Sequence, residues 1–268
     1  MFVILPNQLF DKKYLDKQYQ YVLYEHPHYF KKYKYNQKKL MLHRASMKYY
    51  HDYLSKDFDV VNYIEYDQPF SVKSYTLFDP VDKIKLSGKK TILDTPNFLL
   101  TRDHHKQYQA KTKTFFFHSF YMWSKQALNI LPKAKSTDKQ NRKRLPKSVS
   151  IPKISSNRGK TDQRYIAMGK ELVDTKFSKN YGNTNGFMYP VTHSTARKWL
   201  RDFISKRIKN FGDFQDFIDT KNQTLFHSIL SSSINIGLLN PREVIDAFDD
   251  VQKARQDKER TVNQAEAY

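Results

Sequence analysis

The chain has 268 residues, with 47 Lys plus Arg against 27 Asp plus Glu, a formal charge of +20. Hydrophobic residues make up 39% and aromatics 15%, enough for a packed core, which excludes a disordered chain. The absence of cysteine excludes disulfides and thiolate-held zinc or iron–sulfur clusters within the chain, and no apolar run approaches the length that spans a bilayer.

From the start, Phe2-Val3-Ile4-Leu5 is strand-like and unlike a charged leader with a cleavage site, which predicts a soluble, unsecreted, intracellular protein. Tyr21 to Tyr24, Val60 to Tyr66 and Tyr75 to Phe78 are further short runs of aromatic and β-branched residues, and a helical pattern runs from Gln37 to Leu54. Strands alternating with a helix predict a parallel sheet with crossovers over residues 1–131. Ligands of such sheets bind at the carboxyl ends of strands, so Pro6-Asn7-Gln8-Leu9 is the best-placed candidate in this half, although a plain strand-to-helix turn has the same residues.

From Pro132 to about Arg164 the composition shifts to Lys, Ser, Pro, Asn and Arg, and residues 132–188 are expected to form a basic connector. Residues 189–268 then begin a helical region. Thr192 or Ser194 can cap a helix whose apolar positions Ala196, Trp199, Leu200, Phe203, Ile204 and Ile208 recur at helical spacing, with Arg197, Lys198, Arg201 and Lys209 on the outer face. Beyond Val251, Gln252 to Thr261 is helix-permissive without an apolar stripe, and the helical region is expected to be unfinished.

The most informative stretch is 226–244. Ser231 precedes a short helix-compatible run and can cap it, with Ser228, Ser232 and Ser233 nearby, and a helix start of this kind attracts phosphate. Ordinary N-caps and serine turns use the same residues. Gly237 offers a turn, and Asn240-Pro241-Arg242-Glu243 reads as a second helix start, with Asn240 as N-cap and Pro241 at N1. The close pairs His26/His28 and His104/His105 lack the spacing of a metal site, and Trp123 and Trp199 read as core.

The run Ser228-Ile229-Leu230-Ser231 through Asn240-Pro241-Arg242-Glu243-Val244 resembles the flavin-phosphate motif of the photolyase and cryptochrome superfamily, and more narrowly its bacterial photolyase-related proteins that carry an iron–sulfur cluster. Other stretches agree in order: Ile4 to Phe10, Lys39 to Tyr50, Phe117 to Tyr121, Asn141-Arg142-Lys143, Gly186 to His193, and Phe211 to Asp216. The resemblance implies an α/β, Rossmann-like amino-terminal domain, a linker, and the incomplete start of an all-α FAD-binding domain. It also implies a light-driven lyase that repairs DNA lesions, with FAD and a lumazine- or deazaflavin-type antenna as cofactors.

Carried over residue by residue, Ser228, Leu230 and Ser231 match the phosphate side of the flavin motif, and Asn7, Gln8 and Leu9 match the antenna loop. Departures qualify the match. Ser232 replaces the usual Pro, Asn7 replaces an acidic residue and so weakens the case for a ribityllumazine-type antenna, and Phe214 stands where tyrosine is common. The resemblance puts the family's cluster cysteines in a carboxy-terminal helical half, which this chain is expected not to complete.

Three readings follow: one half of a photolyase completed by a second polypeptide, a homologue inactive alone, or a basic nucleic-acid-binding module that kept the scaffold. The charge of +20 suits a DNA partner, but abundant Lys, Asn, Tyr and Ile with only 7 Gly also fit an A/T-rich coding sequence. A localised basic stripe would separate these explanations, and an exposed apolar face on the helices at 195–208 and 241–251 would favour the first reading.

Overall fold

The computed structural model describes residues 1–130, 141, 143–154 and 159–250. Arg142 and the expected tail from Gln252 to Thr261 lie outside the described residues, as does Val251. Five strands form one parallel sheet: β1 (Phe2–Ile4), β2 (Tyr21–Tyr24), β3 (Val61–Ile64), β4 (Ser74–Phe78) and β5 (Lys89–Leu93), in the order β3-β2-β1-β4-β5. Phe2 pairs with Tyr21 on one side and Thr76 on the other. The chain thus builds outward from β1 through β2 to β3, then returns to add β4 and β5 on the opposite side. The reversal falls between β1 and β4, the switch point at which doubly wound sheets open a crevice. The expected Rossmann-like α/β architecture is what the sheet shows.

The central strands are apolar because helices or loops cover both faces, as parallel sheets require. β5 looks different. It is an exposed edge strand, Lys89-Lys90-Thr91-Ile92-Leu93, paired only with β4, and its lysines are the usual guard of an unpaired edge. Gly88 makes its start possible, because at φ +109° an added Cβ would overlap the Val72 carbonyl oxygen.

A short helix α1 (Pro27–Phe30) follows β2, and α2 (Gln37–Leu54) follows it as the sequence predicts. Asn36 caps α2 by accepting from the Lys38 N–H at 2.9 Å. Leu40, Met41, Ala45, Met47, Tyr50 and Leu54 are buried, so α2 is covered by more than the sheet. α3 (Arg102–Lys111) and α4 (Phe117–Ala127) form a hairpin, and α5 (Lys160–Lys176) packs on the outer side of α2. Gly169 permits that crossing: a Cβ there would lie 2.6 Å from the Met41 carbonyl oxygen and 3.3 Å from Ala45 Cβ.

The segment expected as a connector therefore contains α5, whose Tyr165, Leu172 and Val173 join the main core. Leu145, Val149 and Ile151, from the same segment, pack on a smaller cluster of Phe214, Leu225 and Phe226. Composition understated this region because few apolar residues are needed to dock one helix on an existing core.

After α5 come α6 (His193–Lys206), α7 (Ile208–Phe211), α8 (Ser231–Asn235) and helical residues 241–250. Thr192, not Ser194, caps α6: its hydroxyl accepts from the Thr195 N–H at 3.2 Å and donates to Asp162 Oδ1 at 2.8 Å. Ala196, Trp199, Leu200, Phe203 and Ile204 are buried as the periodicity predicts, each large side chain contributing roughly 1.5–3 kcal/mol before ordering entropy.

Candidate functional site

The loop after β1 lies at the switch point. Gln8 is buried, and its amide is fully engaged: Oε1 accepts from the Leu5 N–H at 3.2 Å and Nε2 donates to the Phe78 carbonyl at 2.7 Å. Asn7 is half-buried, donating to the Pro80 carbonyl at 3.2 Å and accepting from the Tyr29 hydroxyl at 3.0 Å. These bonds tie the carboxyl end of β1 to that of β4. Leu9 is fully buried and continues inward. The loop thus braces the carboxyl ends of β1 and β4, and Asn7 is its half-buried member.

The open space lies one strand further along. A cleft of about 240 Å³ at the carboxyl ends of β4 and β5 is lined by Asp79, Val81, Asp94, Phe98, Arg102 and His105. Arg102 Nε donates to Asp79 Oδ2 at 2.8 Å, and Val81 holds φ 65°, an uncommon conformation for a β-branched residue. Asn7, Gln8 and Leu9 are not among the lining residues.

The serine segment takes a form the sequence did not predict. Helix α8 begins at Ser231 with Leu230 as its N-cap, and no side chain caps it. Ser231 occupies the first helical position, because Ile229 at φ 57° turns the chain before the helix begins. The first-turn N–H groups are therefore left without side-chain acceptors. Ser231 is exposed, and among the described residues the buried Oγ atoms of Ser232 and Ser233 have no hydrogen-bond partner. Uncapped donors beside unpaired hydroxyls suit an anion, so the residues present fit the phosphate end of a dinucleotide cofactor. The second helix start is as expected, with Asn240 Oδ1 accepting from the Arg242 N–H at 2.8 Å.

The two candidate segments meet. The Leu9 N–H donates to the Ile236 carbonyl at 2.9 Å, and Gly237 at φ +88° lies so close that a Cβ would sit 2.8 Å from Phe10 Cδ1 and 2.9 Å from Leu9 N. His193 fastens the same point. Its Nε2 donates to the Leu9 carbonyl at 3.0 Å, which leaves Nδ1 to accept from the Tyr49 hydroxyl at 3.0 Å. Burial, aided by nearby Arg197, pushes this imidazole down to about 4 and keeps it neutral.

Arg197 does not simply face solvent as its outer-face position suggested. Nη2 meets Asp11 Oδ2 at 2.7 Å and Nε meets Glu243 Oε1 at 2.5 Å, clamping α6 to the loop after β1 and to residues 241–250. Burial pushes the Asp11 carboxyl up, but the hydrogen bond and charge of Arg197, with the Lys13 N–H bond, together outweigh it and leave it lowered. Glu243 is thus engaged by Arg197.

A second polar cluster, unforeseen from sequence, closes the other side of the sheet. Glu25 and Glu65 follow β2 and β3, and Arg44 from α2 reaches both, with Nε 2.7 Å from Glu25 Oε1 and Nη1 2.9 Å from Glu65 Oε1. Burial raises the Glu25 carboxyl, while Arg44 and the Tyr63 hydroxyl at 2.5 Å pull it back. Its only sequence signal is an acid directly after each strand.

The histidine pairs take ordinary roles. His26 caps α1, His104 completes a capping box with Thr101, and His105 stacks on Phe120. Among the described residues no group of three or more His, Asp or Glu is arranged to hold a metal, and no helix is long and apolar enough to cross a membrane.

A five-stranded parallel sheet of this order, with a serine-led helix start joined to its first loop, places the chain in the Rossmann-like, doubly wound α/β class. The family comparison narrows the class. The chain belongs to the deoxyribodipyrimidine photo-lyase-related protein family, whose model matches residues 2–80 and 71–189. It is 33% identical to the uncharacterized protein R852 of Acanthamoeba polyphaga mimivirus, over 56% of this chain and 96% of that protein. It is also 37% identical to a (6-4) photolyase of Agrobacterium fabrum (strain C58 / ATCC 33970) over 83 residues, which is 30% of this chain and 16% of that enzyme.

Proposed function

We propose that the chain is one half of a light-driven DNA-lesion lyase, which holds the phosphate end of FAD and gains activity when a second, helical polypeptide closes the flavin ring from the other side. Ser228, Leu230 and Ser231 would meet the phosphates, with Ser232 and Ser233 as further donors. When bound, the flavin supplies light-driven electron transfer to the lesion. The chain's own residues orient its phosphate end and keep the serine segment seated on the sheet.

The observation that supports this reading is the pairing of an uncapped, serine-led helix start with an apolar groove. Leu200, Phe203 and Ile204, buried at its floor, and half-buried Ile208, Val244, Ile245 and Phe248 line a groove of about 200 Å³. An apolar channel between two helices is the surface that a further helix would cover. An antenna of lumazine or deazaflavin type would take the cleft at the carboxyl ends of β4 and β5, beside the loop of Asn7, Gln8 and Leu9, which Asn7 ties to Pro80. DNA is the partner that the family and the charge of +20 support.

The test is flavin capture. The purified chain alone is expected to bind FAD well below one equivalent, and mixing with a helical carboxy-terminal polypeptide of a photolyase-related protein is expected to raise both flavin absorbance and lesion repair under blue light. Stoichiometric FAD and repair by the chain alone would overturn the reading. Unchanged flavin binding by a variant with Ser231→Glu and Ser228→Glu would remove these serines from the site.

A further inference from the structure

The α3–α4 hairpin carries an aromatic surface used by neither the serine segment nor the loop after β1. Its interior is tightly organised. Tyr108 packs against Phe120 and Trp123 with ring centroids 5.0 and 5.1 Å away, and Phe115 lies 5.3 Å from Phe120. The Thr112 hydroxyl donates to the Thr114 carbonyl at 2.7 Å and fixes the connecting loop. On this base Phe115, Phe116 and Phe117 are 64%, 63% and 74% exposed, and Tyr121 is 45% exposed. Phe115 packs partly on Phe120, whereas among the described residues Phe116 and Phe117 make no ring contact, and such an exposed patch marks a contact surface.

Charge identifies the contact. From His104 to Leu128 the sequence contains no Asp or Glu, whereas Lys106, Lys111, Lys113 and Lys125 all fall within it. Lys106 is paired with Asp103, and Lys125 is buried. Lys111 and Lys113 are exposed on either side of Thr112, and among the described residues neither has an ion pair or side-chain hydrogen bond. Two exposed lysines thus flank the aromatic rings. Flat aromatic faces framed by free ammonium groups match a polyanion whose own flat faces are uncovered. A duplex hides those faces in its stack, but a single strand presents them.

We propose that the α3–α4 hairpin binds single-stranded nucleic acid, with Phe115, Phe116, Phe117 and Tyr121 stacking on unpaired bases and Lys111 and Lys113 meeting backbone phosphates. This deepens the reading that the chain acts on DNA, and it assigns a surface remote in sequence from the serine segment. Such a surface would hold the unpaired strand beside a lesion.

The experiment is fluorescence anisotropy of the full chain with a labelled oligothymidylate and with a duplex of equal length, each across a salt series. The single strand is expected to bind more tightly than the duplex. The double variant Phe116→Ala, Phe117→Ala is expected to weaken single-strand binding by about ten-fold or more with its salt slope unchanged. Lys111→Gln with Lys113→Gln is expected to reduce the slope by about 0.7 per lysine. All four positions are exposed, so equal thermal midpoints confirm intact folding.

Preference for duplex, or wild-type affinity in the phenylalanine variant, would overturn the proposal. So would light scattering that shows a wild-type dimer and a monomeric phenylalanine variant, which would make the patch a self-association surface. Failure of the helical polypeptide to raise flavin binding would remove the lyase reading without changing this assay.

Discussion

Leu9 and Ile236, which lie far apart in sequence, share a backbone hydrogen bond of 2.9 Å that joins the first loop of the sheet to the end of the serine helix. The contact needs glycine at the next position. At φ +88° and with Phe10 Cδ1 2.8 Å from an ideal Cβ, Gly237 can accept no side chain without moving one of the two segments. Gly237→Ala is expected to lose about 2 kcal/mol or more, combining left-handed backbone strain with the clash. Thermal unfolding should register this as a drop of roughly 5 °C. A midpoint equal to wild type would show that the two segments are not held together at this point.

The same junction predicts a pH response. His193 is buried with its pKa lowered from 6.5 to about 4, and His43, fully enclosed, is pushed down to about 3 by burial. Each binds fewer protons in the folded state than in the unfolded chain below pH 6.5. Their contribution is therefore complete above pH 6.5 and drains away as pH falls toward 4. For His193 alone the gap corresponds to about 3 kcal/mol. Denaturant midpoints measured from pH 7.5 to pH 4.5 should fall for wild type. They should fall less steeply for His193→Gln, whose amide can still donate to Leu9. Parallel profiles would remove His193 as a source of the acid sensitivity.

Strands β1 to β4 and helix α2 were legible because their side chains report their surroundings directly, with apolar runs where both faces are covered and period-3.6 patterning where one is. β5 was not legible. Its stability comes from the β4 backbone, and its Lys89-Lys90-Thr91 start carries no apolar signal. Helix α5 was missed for a related reason: it docks through Tyr165, Leu172 and Val173 and through the missing side chain of Gly169, and a gap has no hydropathy.

Both candidate segments stand out in the sequence by local pattern. Their contact does not, since it is made by backbone atoms and by His193, which sequence left as the last residue of a matched stretch. The placement of Ser231 depended on Ile229 at φ 57°, a conformation that an isoleucine does not advertise.

Arg197 provides a test of how α6 is oriented. Its two carboxylate partners lie on separate segments, Asp11 at 2.7 Å and Glu243 at 2.5 Å, and its side chain is about one-third exposed. Solvent screening therefore reduces its value, and Arg197→Met is expected to lose about 1 kcal/mol. The loss should shrink at high salt, where exposed pairs are screened. Hydrogen exchange should also rise in residues 241–250 before it rises in α2, since Glu243 loses its partner while the core is untouched. A uniform rise across both would mean that Arg197 supports the whole fold and not this one attachment.

The Arg44–Glu25 pair gives the strongest expected effect on stability, and its value depends on which partner is removed. Glu25 is fully buried, Arg44 nearly so, and the Tyr66 N–H adds a bond to Glu25 Oε2 at 3.3 Å. Arg44→Met strands a buried carboxylate and is expected to lose about 3–5 kcal/mol. Glu25→Leu strands the guanidinium less completely, because Glu65 still receives Arg44 Nη1 at 2.9 Å, so its loss should be smaller. The double variant removes both desolvated charges, leaving Glu65 to Lys48 at 3.0 Å, and should recover most of the stability lost in Arg44→Met. Urea unfolding of all four proteins closes the cycle. If the double variant is as unstable as the sum of the singles, the two side chains act independently, and the cluster holds the β2 and β3 ends through packing instead of charge.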